Sequence, residues 1–203
     1  MYYAVKNGYK IGIFNSWKEC EMQVKGFKHA QFKKFSTLNE AENFLKNETV
    51  KTYNIDYYVY TDGSCSNNGY NNATGGIGIY FGENNPRNIS EKIDGKVSNN
   101  IAELTAIIRC FSIIENDLIE GKQITIVSDS EYAIRCATTY GEKCANLEWK
   151  KDIPNKELVK IIYETSRKYS NAHFLHIKAH TDNSDIHSIG NRHADLLATL
   201  INS

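Results

Sequence analysis

The sequence predicts an α/β protein in which a small leading module precedes a larger domain built on a mixed sheet. Three observations lead there. At 203 residues the chain can bury one medium core and one small one. From residue 57 onward, strand-like runs come together first and then alternate with helical runs, the order expected of a five-stranded mixed sheet flanked by helices. Charge divides near the same point: residues 1–51 hold nine lysines and five glutamates, whereas residues 52–203 hold fifteen Lys/Arg and nineteen Asp/Glu. A basic module ahead of an acidic domain suggests that the first holds a polyanion and the second holds cations. The boundaries expected are 1–47 for the module, 48–56 for a linker and 57–203 for the domain.

In the module, YYAVKNGYKIGIF carries two alternating apolar runs around Asn7-Gly8, a hairpin signal. Ser16 is placed to cap a helix through Val24, and Phe32–Phe35 reads as a short strand with Phe32 and Phe35 in the core. Ser36 or Thr37 then caps a second helix, with Ala41, Phe44 and Leu45 on its apolar side.

In the domain, YYVYTDG is a buried strand ending in a turn at Asp62, and GGIGIYFG is a second strand. Residues 89–97 supply a third. Ser98 caps a helix whose apolar positions, Ile101, Leu104, Ile108, Phe111 and Ile114, follow a 3.6-residue period. QITIVS is the fourth strand, followed by a helix over 130–138, an irregular stretch over 139–154, and a helix over 155–169. The strand HFLHIK at 173–178, a polar loop and a last helix from about 191 complete the chain.

The five cysteines are odd in number and form no CxxC pair, which excludes a disulfide framework and a thiolate zinc site. His173 and His176 sit at odd spacing on a strand and face opposite sides, which also speaks against zinc. The N-terminus has no charged region followed by an apolar run, and no stretch is long and apolar enough to span a bilayer. A soluble, intracellular (cytoplasmic) monomer is the expectation.

Four acids occupy related places. Asp62 and Asp129 end two strands, where an open α/β sheet gathers ligands. Glu103 lies in the second turn after Ser98, at the edge of the buried helix face. Asp195 is expected in the first turn of the last helix, after Gly190-Asn191. Crowded carboxylates repel, and a divalent cation relieves them. Oxygen-only ligands suit Mg2+, with Mn2+ a possible substitute. Two such ions support in-line phosphodiester hydrolysis without a protein nucleophile.

The neighbours of those acids carry more. Tyr60-Thr61-Asp62-Gly63-Ser64, Asn68-Gly69, Gly76-Ile77-Gly78, Ser98 to Leu104, Ser128-Asp129-Ser130, His180-Thr181 and Gly190-Asn191 with Ala194-Asp195 resemble, in order and spacing, the successive motifs of the type 1 ribonuclease H family. The resemblance covers nearly all of residues 57–203. It implies a ribonuclease H-like fold, metal ligation by Asp62, Glu103, Asp129 and Asp195, and cleavage of the RNA strand of RNA–DNA hybrids. It also implies that Asn68, Asn99 and Asn100 sense RNA 2′-hydroxyls, and that Lys96, Ser98 and Asn155 grip a DNA phosphate. Amides that donate and accept suit the first role. A lysine at 96 offers a point charge, not the bidentate grip of an arginine. His180 corresponds to a mobile histidine serving product departure or proton transfer, with His187 in the same enlarged loop a competitor. The family's long basic, Trp-rich handle is shortened to residues 139–154, where Tyr140, Trp149, Lys143, Lys150 and Lys151 remain.

Residues 2–45 resemble the small hybrid-binding domain found before many type 1 ribonucleases H and in a plant-virus inclusion protein. The resemblance rests on Tyr2–Val5, Gly12–Phe14, Trp17–Cys20, Gln23-Val24, Gly26-Phe27, Phe32–Phe35 and Ala41. By this reading Tyr3 and Trp17 stack on sugar or base while Lys33 and Lys34 meet phosphates. Double-stranded RNA is a further possible ligand. The rival readings are another two-metal nuclease of the same broad fold, such as a transposase or integrase, and a non-catalytic RNA–DNA or double-stranded-RNA binding protein. The first lacks a helix-borne Glu after Ser-Asn-Asn, and the second does not need four intact acids.

Overall fold

The computed structural model describes residues 1–27, 30–46, 55–179 and 184–200, and it divides into two compact units, Met1–Tyr53 and Asn54–Ser203. Residues 48–54 of the expected linker lie outside the described residues.

The first unit is a three-stranded antiparallel sheet with two helices. Strands β1 (Tyr2–Asn7), β2 (Gly12–Phe14) and β3 (Gln31–Phe35) lie in the order β2-β1-β3. Helix α1 (Trp17–Val24) begins where Ser16 and Glu19 form a capping box. Helix α2 (Leu38–Lys46) begins the same way: the Thr37 hydroxyl accepts from the Glu40 amide, and the Glu40 carboxylate accepts from the Thr37 amide. Alternation on β1 divides the faces. Val5 joins Cys20 and Val24 of α1 in one core, while Ala4 and Ala41 of α2 are also fully buried.

The second unit holds a five-stranded mixed sheet in the order β6-β5-β4-β7-β8. Its strands are β4 (Tyr57–Ser66), β5 (Thr74–Tyr80), β6 (Ile89–Ile93), β7 (Ile124–Ser128) and β8 (Ala172–His176). The first three run antiparallel as a meander, and β7 and β8 run parallel to β4. The helices are α3 (Asn99–Ile119), α4 (Glu131–Ala137), α5 (Thr139–Asn146), α6 (Lys156–Lys168) and α7 (Ile186–Thr199). The main core packs α3, α4 and α6 on one sheet face, through Val59, Leu104, Ile107, Phe111, Ile126 and Ile162 among others. A thinner layer of Tyr60, Val127 and Ala194 lies under α7 on the opposite face. Cys110 is fully buried, a small apolar group as its place in α3 suggested.

Four local expectations need correction. Residues 139–154 are not irregular throughout, since α5 occupies Thr139–Asn146. Helix α7 starts five residues earlier than expected, because the Asp185 carboxylate accepts from the amides of His187 and Ser188. Asp195 therefore sits in the third turn of α7, not the first. Asp62 does not end its strand: pairing with β5 carries β4 on to Ser66. In the first unit, Phe32 is not core, as it is 43% exposed.

Candidate active site

The register of the sheet brings the acids together. In the parallel pair of β4 and β7, Tyr60 lies beside Val127. Two residues farther along come Asp62, still within β4, and Asp129, one residue past the end of β7, so both lie at the same end of the paired strands. Asp62 is itself paired across β5 with Gly78. A Cβ on Gly78 would lie 1.9 Å from the Ala194 carbonyl oxygen, so the bare glycine is what lets α7 rest on the sheet and present Asp195. Gly63, facing the other way, would meet Glu103 N at 2.3 Å, so the start of α3 is seated against β4 by the same means. Ser98 anchors that start by accepting from the Ile101 amide.

Asp62, Glu103 and Asp129 bring one carboxylate oxygen each within 4.8 Å of one another. Asp195 joins them in lining a cleft of about 470 Å³, with Ser64, Cys65 and Asn99 also on its walls. Asp62 and Glu103 are buried, and Glu103 Oε2 has no hydrogen-bond partner. Burial, reinforced by the charges of Asp129 and Asp195, pushes the Asp62 carboxyl up to about 7. Burial, with Asp62, Asp129 and Asp195 nearby, pushes Glu103 up to about 9. An orphaned buried carboxylate oxygen inside an all-oxygen cluster fits a hard divalent cation.

A second cleft of about 610 Å³ is lined by Asn68, Gly69, Tyr70, Lys96 and Ser98, among others. Asn68 and Asn99 join the two clefts, since Asn68 Oδ1 accepts from the Asn99 amide at 3.3 Å. Asn100 is exposed in the first turn of α3. Asn155 does not line the second cleft. It stands at the N-cap of α6, where its Nδ2 donates to Tyr132 Oη at 3.4 Å.

Among the described residues the histidines do not converge on one site. His180 lies outside the described residues. The His187 ring packs edge-on to Tyr58 at 4.8 Å and lies 3.3 Å from Tyr60 Oη through Nδ1, which ties it into the base of α7. His173 is 2.9 Å from Gln123 Oε1, and His176 Nε2 donates to the Asp129 carbonyl at 3.1 Å. His193 stacks on Tyr80.

One residue at the site escaped the sequence reading. Asn191, which the sequence reading placed at the start of the last helix and in a motif but gave no role, is buried in α7 and donates from Nδ2 to Asp129 Oδ2 at 2.8 Å. The available signal was its spacing of four before Asp195, which puts both on adjoining parts of one helical surface.

On the first unit, Tyr3, Trp17, Phe32 and Lys34 form one patch. The Tyr3 and Trp17 ring centroids are 5.8 Å apart, and those of Trp17 and Phe32 are 5.5 Å apart. Lys34, the cross-strand partner of Tyr3, lies over its ring. Lys33 pairs with Ala4 and so belongs to the opposite face of the sheet. Trp17 is 44% exposed, which leaves an aromatic surface with a cation beside it.

Comparison with known proteins agrees with this architecture. Residues 54–201 match the family model of RNase H, and residues 1–45 match that of the ribonuclease H1 N-terminal domain. Human ribonuclease H1 is 27% identical over 259 aligned positions, covering 98% of this chain and 88% of the human protein. The ribonuclease H of Schizosaccharomyces pombe is 29% identical over 267 positions, covering 97% and 95% respectively. Among solved structures, the PFV RNase H domain shares the fold with a TM-score of 0.55 at 23% identity, over 70% of this chain and 92% of that one. The chain belongs to the ribonuclease H family of metal-dependent endoribonucleases and carries the N-terminal domain of the ribonuclease H1 type.

Proposed function

We propose that the chain cuts the RNA strand of RNA–DNA hybrids internally, at a site where Asp62, Glu103, Asp129 and Asp195 hold two Mg2+ ions, with Mn2+ a working substitute. The observation that carries this reading is the convergence of three carboxylates within 4.8 Å around an unpartnered Glu103 oxygen. When bound, the two ions favour the hydroxide form of the attacking water and stabilise the leaving oxygen. The protein's own part is to hold the acids against their mutual repulsion, through the seating of α3 and α7 on β4 and β5. Asn68, Asn99 and Asn100 read the 2′-hydroxyls of the RNA strand, since an amide can serve the hydroxyl as donor and acceptor. Lys96 and Ser98 hold a DNA phosphate in the neighbouring cleft, with Asn155 assisting from α6. His180 carries a proton to or from the departing product.

Residues 1–47 act as a duplex-binding module, 48–56 as its tether and 57–203 as the catalytic domain. Tyr3 and Trp17 supply the stacking surface of the module and Lys34 beside them the main phosphate contact, with Lys33, on the other face of the sheet, in a lesser part. The tether raises the local concentration of duplex at the catalytic domain. Among the described residues no helix is long and apolar enough to cross a membrane.

The test is a labelled RNA–DNA hybrid offered with Mg2+ beside single-stranded RNA, duplex RNA and duplex DNA. Internal cuts confined to the RNA of the hybrid are expected. Cleavage of duplex DNA instead would place the chain with the integrase-like nucleases. Hybrid binding without cleavage in Mg2+ or Mn2+ would support the non-catalytic reading. Tight duplex-RNA binding by the intact chain would widen the module's ligand class.

A further inference from the structure

We propose that Asn191 is a positioning residue that leaves Asp129 one free carboxylate oxygen, and thereby biases the site toward a small octahedral divalent cation over a larger one. The inference rests on the metal-site reading above. Asn191 is 5% exposed on the sheet-facing side of α7, and its Nδ2 donates to Asp129 Oδ2 at 2.8 Å. Asp129 is also held through its main chain, whose carbonyl accepts from His176 Nε2 of β8 at 3.1 Å. The carboxylate is thus fixed from α7 and its backbone from the neighbouring strand. With one lone-pair position of Oδ2 taken by the amide, Oδ1 is the less encumbered oxygen for a cation.

That distinction matters chemically. Ca2+ takes roughly six to eight oxygens in flexible arrangements and readily accepts both oxygens of a carboxylate, whereas Mg2+ demands near-octahedral geometry and retains waters. A carboxylate with one oxygen already oriented and partly occupied by a hydrogen bond is a poorer bidentate ligand, and so serves the second pattern better than the first. The residue type fits the role. An aspartate at 191 would add another acid to an already crowded cluster, and an alanine would release Oδ2. Reversing the amide would set its oxygen against the carboxylate, so the donating orientation is the one that works. The opposite end of the amide, Oδ1, is buried without a hydrogen-bond partner. A residue serving packing alone would not leave a buried acceptor unpaired, because such a group is costly.

Calorimetric titration of the intact chain with MgCl2 and, separately, with CaCl2 reads the affinity ratio without turnover. In Asn191→Ala the Mg2+ affinity should fall, and the ratio should move toward Ca2+ by about 10-fold, the scale of effects from groups that orient metal ligands. Asn191→Ser carries the same comparison if the alanine variant does not fold, because its shorter side chain also leaves Oδ2 free. A ratio unchanged from wild type, in a variant that keeps the wild-type circular dichroism and still binds Mg2+, overturns the proposal. Asp62→Asn separates this from failure of the underlying reading. Mg2+ binding that persists undiminished in Asp62→Asn overturns the metal site and this inference with it. Binding lost in Asp62→Asn, with the ratio unmoved in the Asn191 variants, overturns the selectivity role alone.

Discussion

Gly63 of β4 lies directly under the peptide that leads into Glu103 of α3: a Cβ at 63 would fall 2.3 Å from Glu103 N and 2.3 Å from Ala102 C. Both obstructing atoms belong to the backbone, so neither can swing aside as a flexible side chain would. Gly63→Ala is therefore expected to lift the first turns of α3 from the sheet. Overpacking of this kind costs about 1–3 kcal/mol, which urea unfolding would register. Activity should fall further than stability alone accounts for, because Glu103 moves with the helix. An alanine variant with full stability and full activity would show that the close approach does not set the position of Glu103.

The acids should make the metal-free protein less stable as pH rises. Burial and neighbouring charges hold Asp62 at about 7 and Glu103 at about 9, both above the range near about 4 of an unfolded carboxyl. Each binds its proton more tightly in the folded state. The stability this contributes is fully present below the unfolded value and is lost as pH climbs through the folded values. In the presence of a chelator the melting temperature is expected to drop from about pH 4 to about pH 9, most steeply below about pH 7 where both groups contribute, and Asp62→Asn with Glu103→Gln should flatten the drop. Mg2+ should restore most at the alkaline end. A slope equally steep in the double variant would assign it to other groups.

Away from the site, Asp117 ties the end of α3 to β4 and to the loop before β6. It accepts from Tyr57 Oη at 2.5 Å, from Arg87 Nη1 at 2.7 Å and from Lys122 Nζ at 2.5 Å. Burial alone would raise its carboxyl, but hydrogen bonds from Lys122, Tyr57 and Arg87 outweigh burial and hold it at about 2. Arg87 also lies over the Phe81 ring at 4.3 Å. Asp117→Ala should cost about 1–2 kcal/mol, allowing for solvent screening at the exposed lysine. Because the carboxyl is depressed, its stabilisation is present above the unfolded value and disappears as pH falls through about 2. Hybrid cleavage at saturating Mg2+ should be unaffected, which distinguishes this cluster from the active-site acids.

The patch on the N-terminal module yields a binding prediction with an internal control. Trp17→Ala should weaken hybrid binding by roughly 10-fold, the scale of one lost stacking surface. Lys34→Ala should weaken it and lower the salt slope by about one. Lys33→Ala, from the opposite sheet face, should matter less if the Tyr3, Trp17, Phe32 and Lys34 patch meets the duplex. Equal losses from both lysines in a gel-shift titration would mean that the duplex touches the strand edge and not one face.

Much of this was legible in the chain because the signals were local. Ser16, Thr37 and Ser98 cap helices through atoms three residues away, so their spacing declares them. Asp62 and Asp129 were legible as a pair because neighbouring parallel strands bring equivalent positions together. What was missed depends on contacts distant in sequence. Helix α5 contains Gly141, and α7 contains Gly190, and glycine argues against helix on local grounds. Each is demanded by an aromatic neighbour: a Cβ on Gly141 would meet Tyr163 at 2.7 Å, and one on Gly190 would meet the Tyr60 ring at 2.4 Å. The role of Asn191 was missed for a similar reason, since its partner Asp129 is 62 positions away in the chain. Phe32 looked like core because alternation cannot tell a buried apolar position from one completing an exposed aromatic patch.

Metal-dependent cleavage of the hybrid by the clustered carboxylates can be tested at Asp62. Its most direct test compares wild type with Asp62→Asn on an end-labelled RNA–DNA hybrid under single-turnover conditions, with Mg2+ and again with a chelator. Wild type should cut the RNA strand in Mg2+ and not in chelator, and Asp62→Asn should lose at least about 100-fold despite unimpaired folding, the scale expected when charge stabilisation at the reacting phosphate is removed. RNA cleavage that continues at the wild-type rate in Asp62→Asn, or in the chelator, would contradict metal-dependent cleavage by these acids.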